Sequence, residues 1–408
     1  MLRSRHLTAL SLATLALTAG AASAKTIEVP DDYQTITDAV KYAQAGDKIE
    51  IDSGTYFETF YIASNKPGLK LVGKGKVIID AHPSQAPSGS AIRIYANDVE
   101  IENLTIRHLR NGSDGIYVAA HGASIEDVMF QDCTDAAIYV NASFNDLKVE
   151  DCGFIGCKYG VGLNAGGSVT VRDSEFSRVT HAVRASYATV KVEDCEFDLC
   201  GAPVYVSNGQ ATVRDNEIFN SSSKAIDLVY CPKVAVKGNE IKGGMNHGIV
   251  VYGVSSGKVE KNEVRLVANA GIYLYGSSTL KLDDNELLKC GTGLWIQGSS
   301  NSIRDNKVRS CTQNGVHVDG SNNVIADNSI KNCLKDGIWF KSGSNNGAYD
   351  NTVEKNGGEG LCNSGSNTTW DDNTAKGNRI DLANEGSVHA TKNSYKTGGL
   401  NTKPQIKD

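Results

Sequence analysis

Two groups of ionisable side chains stand at spacings that bring them together only if the chain coils regularly. The first group is His181, Arg184, Lys224, Asp227 and His247. If each coil adds a strand about 4.8 Å from the last, the four coils that carry this group span roughly 15 Å or less. Cleavage of a polysaccharide by β-elimination needs a base beside a sugar carboxyl group and a cation that stabilises the enolate. These five residues are therefore the candidate catalytic residues of a lyase.

The second group is His317, Asp319, Lys335, Asp336 and Lys341, on two adjacent coils. Hydrolysis of a glycosidic bond needs two carboxylates about 5 to 9.5 Å apart, and Asp319 with Asp336 is the candidate pair. No sequence motif supports either group, and solvated surface charge explains each of them equally well.

The residues that could bind a ligand follow from the period-two alternation of the repeated strands, which turns aliphatic side chains inward and their neighbours outward. The outward positions hold six Tyr and two Trp in a chain that is only 7% aromatic. Strand preference explains any one of them, but the whole column favours a surface for sugar rings. The candidate binding residues are Tyr117, Tyr139, Tyr205, Tyr252, Tyr273, Tyr275, Trp295, His317, Asp319 and Trp339.

A repeat of 21 to 23 residues positions all these groups. Its mark is a small residue followed by aliphatic, any and aliphatic residues, as in Gly115–Val118, and it recurs twelve times up to Gly360. Each repeat holds three short extended runs and has no room for a helix of ten residues. The spacing predicts a right-handed parallel β-helix of about 12 to 14 coils, in which each strand pairs with its copies above and below.

A second pattern, aliphatic-x-x-Asn-x-aliphatic, runs in phase with the first. We expect its Asn side chains to stack at one turn and to bond each other and the bent backbone. The Asp residues just before them, such as Asp215 and Asp284, are interpreted as turn residues and not as catalytic carboxylates. The Asn positions are 216, 239, 262, 285, 306, 328, 351, 373 and 393, and earlier coils hold Leu104, Val128, Cys152, Ser174 and Cys195 instead.

The two ends of the chain differ from the repeats. Residues 1–24 have the basic start, apolar stretch and small-residue end of a signal peptide cleaved after Ala24, and the apolar stretch is too short to span a bilayer. A short helix within Tyr33–Ala45 is expected to cap the N-terminal edge of the sheets. The predicted domains are the signal peptide, a β-helix over 25–395 whose cap is 25–81, and a tail over 396–408 that covers the C-terminal edge.

Composition limits the partners and cofactors. Without Arg3 and Arg5 the chain carries 39 basic and 47 acidic residues, a net charge of −8, which disfavours nucleic acid and anionic membranes. Most of the ten Cys recur in phase with the repeat, so we expect free, buried thiols, although Cys311 with Cys333 or Cys133 with Cys157 could reach bridging range. No metal site is specified: Met245 with His247 is a weak copper signal, and Ca²⁺ is another candidate. We expect a monomeric, secreted or periplasmic protein.

The opening of the predicted β-helix resembles the N-terminal cap and first coil of the pectin-lyase-like right-handed β-helices. The residues that carry the resemblance are Ile27-Glu28-Val29-Pro30, Tyr33-Gln34-Thr35-Ile36, Ala45-Gly46-Asp47, Gly54-Thr55-Tyr56 and Leu71-Val72-Gly73-Lys74-Gly75. The resemblance implies that substrate lies along the strand with the small-aliphatic-x-aliphatic pattern. The chain lacks the polygalacturonase signatures as a set and the Asp-Pro-His-Asp of alginate epimerases. It is also similar to exported β-helix repeat proteins and to the accessory protein of nitrous-oxide-reductase copper maturation.

Three functions remain open. The protein binds a polysaccharide along one sheet and cleaves it, with elimination favoured over hydrolysis. It binds a glycan or surface without catalysis. Or it is a periplasmic accessory protein of metal maturation.

Overall fold

The computed structural model describes residues 24–82, 89–109, 112–141, 146–164 and 166–395, and the backbone of 401–402 and 406–407. Within these residues the strands form two parallel sheets, one of 16 strands and one of 30. Each strand pairs with the strand about one repeat later, as Val161 does with Val183, so the chain winds as a right-handed parallel β-helix. This confirms the predicted fold.

The 16-stranded sheet, called the front sheet here, holds the strands with the small-aliphatic-x-aliphatic pattern. Its strands are Phe60–Ile62, Ile92–Ile94, Ile116–Val118, Ala136–Val140, Tyr159–Asn164, His181–Ser186, Ala202–Ser207, Ile226–Val229, Ile249–Tyr252, Ala270–Ser278, Thr292–Ser299, Val316–Asp319, Ile338–Ser342, Glu359–Asn363, Ile380–Asn384 and Asn401–Thr402.

The 30-stranded sheet, called the back sheet here, covers the other two sides of each coil. Its strands are Thr26–Val29, Lys48–Tyr56, Lys70–Asp80, Glu100–Arg107, Ser124–Gln131, Leu147–Glu150, Gly153–Ile155, Ser168–Arg172, Glu175–Ser177, Thr189–Glu193, Glu196–Asp198, Gln210–Arg214, Glu217–Ser221, Val234–Lys237, Glu240–Gly244, Gly257–Glu260, Glu263–Val267, Leu280–Asp283, Glu286–Leu288, Ser302–Arg304, Lys307–Arg309, Val324–Ala326, Ser329–Lys331, Gly347–Tyr349, Thr352–Glu354, Thr368–Asp371, Thr374–Lys376, Val388–Thr391, Ser394–Tyr395 and Ile406–Lys407.

The β-helix has about 16 turns, slightly more than the 12 to 14 expected. The additional front-sheet strands lie outside the twelve repeats counted in the sequence. Two precede Gly115, at Phe60–Ile62 and Ile92–Ile94, and two follow Gly360, at Ile380–Asn384 and Asn401–Thr402. The pairing of strands therefore extends into the tail, which we expected only to cover the C-terminal edge of the sheets.

The N-terminal edge carries the helix that the sequence predicts, in a shorter form. It spans Ile36–Tyr42 and is capped by Thr35, whose side chain accepts a hydrogen bond from the Asp38 N–H over 3.1 Å. Ile36, Ala39 and Val40 are buried, so the apolar face covers the first coils. Residues 1–23 of the predicted signal peptide lie outside the described residues, and only its last residue, Ala24, is described.

The interior explains why the repeat begins with a small residue. The chain enters each front-sheet strand through a turn that points into the core. At Gly293, for example, a Cβ atom would lie 2.3 Å from Val308 Cγ1, so only a small residue fits. Larger side chains fill the wider parts of the core. Four Phe rings, at 130, 154, 176 and 197, stack with centroids 4.4 to 5.1 Å apart.

The Asn ladder is confirmed. From Asn216 to Asn373, each side-chain amide donates to the side-chain oxygen of the Asn one coil later, and the series ends at Asn393. The preceding Asp residues have positive φ, for example 55° at Asp215 and 59° at Asp284, which confirms that they are turn residues. In the earlier coils Cys152 fills the same place, and its thiol lies 3.1 Å from the Glu150 carbonyl oxygen.

All ten Cys are free and buried, as expected. Cys133 and Cys157 contact each other through their thiols, and so do Cys311 and Cys333. They are packing groups in this structure.

Candidate functional site

Strand register places the predicted outward residues in one column on the front sheet. Tyr117 pairs with Tyr139, Tyr273 with Trp295, and His317 with Trp339. The column is Tyr61, Arg93, Tyr117, Tyr139, Gly162, Arg184, Tyr205, Asp227, Val250, Tyr273, Trp295, His317 and Trp339. Sequence reasoning missed its first two members, although Ala91-Ile92-Arg93-Ile94 has the pattern of the later repeats.

In the C-terminal half of the column, the aromatic rings of successive coils pack against one another. Ring centroids are 4.8 Å apart for Tyr273 and Trp295, 5.4 Å for Trp295 and His317, and 4.8 Å for His317 and Trp339. The planes of these pairs are tilted by 34° to 57°, so each inner ring packs against a tilted ring on either side. The coil spacing is close to the packing distance of two rings, so little space remains between neighbouring rings of the column, and sugar binding along this part of the column stays a prediction.

A second column lies two residues further along each strand. There Tyr252 and Tyr275 stack at 4.8 Å, and Tyr230, which was not predicted, packs on Tyr252 at 4.7 Å. The hydroxyl of Tyr230 donates to that of Tyr252 over 2.6 Å. Tyr230 and Tyr275 are exposed, so this array forms one side of the front sheet's outer surface.

Asp319 is held in a hydrogen-bonded cluster beside the aromatic column. Its carboxylate accepts from Lys341 Nζ over 3.3 Å, from Gln297 Nε2 over 3.5 Å and from the Ser342 hydroxyl. Burial opposes its charge, but the hydrogen bonds from Ser342 and Lys341 together lower the pKa of Asp319. A register shift pairs Asp319 with Ser342, where the repeat predicted Lys341.

Asp319 and Asp336 do not form the carboxylate pair considered for hydrolysis. Asp336 lies level with Asn314, since its carbonyl accepts from the Gly315 N–H, so it is five positions from Asp319. At about 3.3 Å per residue this is roughly 15 Å, beyond the range of a glycosidase pair. The Asp336 carboxylate instead accepts from the Glu359 N–H over 2.8 Å.

The five candidate catalytic residues fall into two places. Lys224 Nζ lies 2.9 Å from an Asp227 carboxylate oxygen. Arg184 is two strands from Asp227, with Tyr205 between them in the register. The five residues therefore lie on neighbouring coils, with the Lys224 pair and His247 on one side of Tyr205 and Arg184 with His181 on the other. Their role in elimination stays a prediction.

Burial sets the protonation of the first of these places. It lowers the pKa of His247 to about 4, and the His247 Nδ1 accepts a hydrogen bond from the Ala270 N–H over 3.0 Å. Burial also raises the pKa of Asp227, which Lys224 partly offsets. His247 stacks on Tyr273 at 5.0 Å. Because the His247 Nδ1 accepts a hydrogen bond and the His247 ring packs on Tyr273, this side chain helps to hold the column together.

A cleft of about 320 Å³ opens where the outward column reaches Gly162. Gly162 has no side chain and stands between Tyr139 and Arg184 in the register, so the row of large side chains is interrupted there. This Gly162 cleft is lined by Gly112, Asp114, Asp135, Ala136, Tyr139, Tyr159, Gly162, Asn164 and Arg184.

Arg184 forms the cationic side of the cleft, and two aromatic rings hold its guanidinium in place. Arg184 Nη1 donates to the Tyr159 hydroxyl over 3.5 Å, and the guanidinium lies 5.7 Å from the Tyr159 ring and 5.9 Å from the Tyr205 ring. The His181 ring also stacks on the Tyr159 ring, with the ring centroids 5.2 Å apart. Burial and the charge of Arg184 lower the pKa of His181. The Arg184 group is thus fixed in place at the rim of the cleft.

The acidic side of the cleft contains two residues that sequence reasoning missed, Asp114 and Asp135. Burial, and then the charge of Asp135, raise the pKa of Asp114 to about 6 in spite of hydrogen bonds from Ala136 and Ser90. Lys158 Nζ lies 3.9 Å from the Asp135 carboxylate. Asp114 could have been found from its place directly before Gly115, because His181, Lys224 and His247 occupy the same place in their repeats.

No metal site is assembled from the described residues: they contain no group of three or more His, Cys, Asp or Glu side chains placed to hold an ion. Met245 is 77% exposed, so its pairing with His247 gives no enclosed copper site. In the same residues, no helix has the length and apolar character needed to cross a bilayer.

The coiled architecture, with parallel strands that pair from one coil to the next, defines this protein as a right-handed parallel β-helix. The family described as "Right handed beta helix region" matches residues 47–188 and 270–401, and the chain belongs to it. The family described as "Periplasmic copper-binding protein (NosD)" matches residues 145–302 and 187–332. The resemblance to pectin-lyase-like β-helices is confirmed.

Solved structures share the fold at low sequence identity. DFA-IIIase from Arthrobacter chlorophenolicus A6 in complex with GF2 is 12% identical over 70% of this chain and 92% of that chain, with a TM-score of 0.53. The periplasmic alginate epimerase AlgG is 12% identical over 91% and 84%, with a TM-score of 0.39. A family 28 exopolygalacturonase from Yersinia enterocolitica is 10% identical over 94% and 80%, with a TM-score of 0.41. No curated protein matches the sequence.

Proposed function

We propose that this protein binds a polysaccharide across the front sheet, with the Gly162 cleft as the central subsite. The observation that carries the proposal is the cleft at Gly162, where the outward column has no side chain between Tyr139 and Arg184. A Cβ there would lie 3.8 Å from its nearest neighbour, Tyr139 Cδ2, so packing does not require the glycine. The space is therefore available to a ligand.

The lining of the cleft suits a sugar. Tyr139 and Tyr159 offer aromatic carbons and hydroxyl groups, Asn164 offers an amide, and Arg184 offers a planar set of donors. Such a mixture matches a ring with apolar faces and many hydroxyl groups, and a guanidinium pairs well with a sugar carboxylate. The column continues on both sides of the cleft, through Tyr117 and through Tyr205, so further units of a chain have side chains to contact.

Location and similarity fit this proposal. A signal peptide over 1–24, as the sequence predicts, would place the protein where extracellular glycans are found. AlgG and the exopolygalacturonase are named for carbohydrate substrates and have the same fold. We propose a monomeric, exported polysaccharide-binding protein.

The test is affinity electrophoresis of the protein through gels that contain polygalacturonate, alginate, inulin or xylan. We expect at least one polymer to retard the wild-type protein and Gly162→Tyr to weaken that retardation at least tenfold, because the new ring fills the cleft. The control is Thr170→Tyr, which adds the same ring to the back sheet of the same coil. Absence of retardation by all four polymers, or equal retardation of wild type and Gly162→Tyr, would contradict the proposal.

A further inference from the structure

We infer that the Gly162 cleft hydrolyses a glycosidic bond, with Asp114 as the proton donor and Asp135 as the ionised partner carboxylate. The inference rests on the proposed function, because it requires a polysaccharide in the cleft. It replaces both catalytic groups considered from the sequence with a pair that neither of them contained.

The first support is position. Asp114 lies level with Ala136 on the next coil, since the Gly115 N–H donates to the Ala136 carbonyl over 2.9 Å. Asp135 is the residue before Ala136, so the two Asp backbones are one strand spacing and one residue apart, about 6 Å. Both line the same cleft. Two carboxyl groups on adjacent coils can reach the 5 to 9.5 Å separation that glycoside hydrolysis uses.

The second support is that the two carboxyl groups have different surroundings. Asp114 is the more enclosed, and burial with the nearby Asp135 charge raises its pKa to about 6. Asp135 is more exposed and lies 3.9 Å from the Lys158 ammonium. A carboxyl group with a raised pKa beside a second carboxyl group in different surroundings is the arrangement of a general acid and its partner.

The third support is the remainder of the cleft. Arg184, Tyr139 and Asn164 line it opposite or beside the two carboxyl groups, and they can hold the sugar on either side of the bond to be broken. The elimination predicted from the sequence would instead use Lys224, Asp227 and His247 together with Arg184, which lies two strands from Asp227 on the other side of Tyr205.

The reaction consumes one water molecule. Asp114 gives its proton to the glycosidic oxygen as the bond from that oxygen to the anomeric carbon breaks, and one sugar chain leaves as an alcohol. Asp135 takes a proton from the water whose oxygen forms the new bond to the anomeric carbon. Loss of that proton from Asp135 to solvent and uptake of a proton by Asp114 restore both groups.

The test supplies the full-length protein with polygalacturonate, alginate, inulin and xylan and measures new reducing ends and the ultraviolet absorbance of unsaturated sugars. We expect reducing ends without unsaturated product, and a rate that falls as pH rises through about 6, because Asp114 must carry its proton. Asp114→Asn should lower the rate at least 100-fold, while the polysaccharide gel should still retard the variant. The control is Asp151→Asn, an exposed turn residue with a φ of 51° that should keep full activity.

The outcomes separate the inference from the proposed function. Retardation in the gel without products of either kind, full activity of Asp114→Asn, or unsaturated products would each overturn the hydrolytic assignment while binding stands. Absence of retardation would overturn the proposed function and this inference together.

Discussion

The side chain of Asn262 donates a hydrogen bond to the side-chain oxygen of Asn285 over 2.9 Å and accepts one from Asn239 over 2.8 Å. The same amide also donates to the carbonyl oxygens of Val236 and Glu260, both over 3.1 Å. Since Asn262 is 1% exposed, water cannot replace these partners. Each ladder residue therefore connects the coil before it to the coil after it.

We predict that Asn262→Ala lowers the free energy of unfolding by about 3 kcal/mol, because it leaves buried donors and acceptors on both neighbouring coils without partners. Denaturant unfolding followed by circular dichroism measures the loss. The matched control is Asp284→Asn, since Asn tolerates the positive φ of this exposed turn position and the change should stay within about 0.5 kcal/mol. Equal losses in the two variants would refute a special role for the ladder.

We predict that Asp114→Asn raises the melting temperature at pH 8 and has little effect at pH 3.5. The folded protein raises the pKa of Asp114 from 3.8 to about 6. It therefore binds the proton more tightly than the unfolded chain, and wild-type stability falls as pH rises between these values. The amide, which does not titrate, removes that loss. Thermal melts across this range test the prediction. A variant that is less stable than wild type at pH 8 would be evidence against a raised pKa of Asp114 in the folded protein.

We predict that His247→Asn makes the protein more resistant to acid. The pKa of His247 falls from 6.5 in the unfolded chain to about 4 in the folded protein. The folded state thus binds fewer protons between these values, and stability is lost as pH falls from about 6.5 to about 4. Asn can still accept the Ala270 N–H. Melting temperatures at pH 7 and pH 4.5 should differ less for the variant than for wild type, while exposed His389→Asn should behave as wild type.

We predict that the ten thiols react slowly with a thiol reagent until the protein is unfolded, and that all ten then react. Burial raises the pKa of Cys152, Cys195 and Cys290 to about 12, so the reactive thiolate is scarce as well as inaccessible. Counting modified thiols by mass spectrometry, with and without denaturant, gives the result. Fewer than ten reactive thiols after unfolding would show that disulfides form.

The parts of this structure that sequence could predict are those fixed by periodicity. A constant interval and an inward corner at residues such as Gly293 fix the register, so the column from Tyr117 to Trp339 and the Asn ladder follow directly. The resemblance and the family match agree with that result because they report the same repeat.

The candidate site needed information that spacing does not carry. Asp319 and Asp336 are on adjacent coils, but Asp336 lies level with Asn314, five positions before Asp319 along the strand direction, so adjacency of coils did not bring their carboxyl groups together. The ring-on-ring packing of Trp295 and His317 depends on side-chain rotamers. The pKa of Asp114 depends on burial and on Asp135, whose closeness becomes visible only when two coils are superposed.

Each coil contacts only the coils beside it, and the Gly162 cleft draws its groups from four successive coils, those of Asp114, Asp135, Gly162 and Arg184. Whole repeats can be gained or lost beyond Ala202–Ser207, the coil whose Tyr205 contacts Arg184, without moving any of these groups. The reach of the molecule along a polymer and the chemistry at its centre can therefore evolve separately, by duplication in one case and by point substitution in the other.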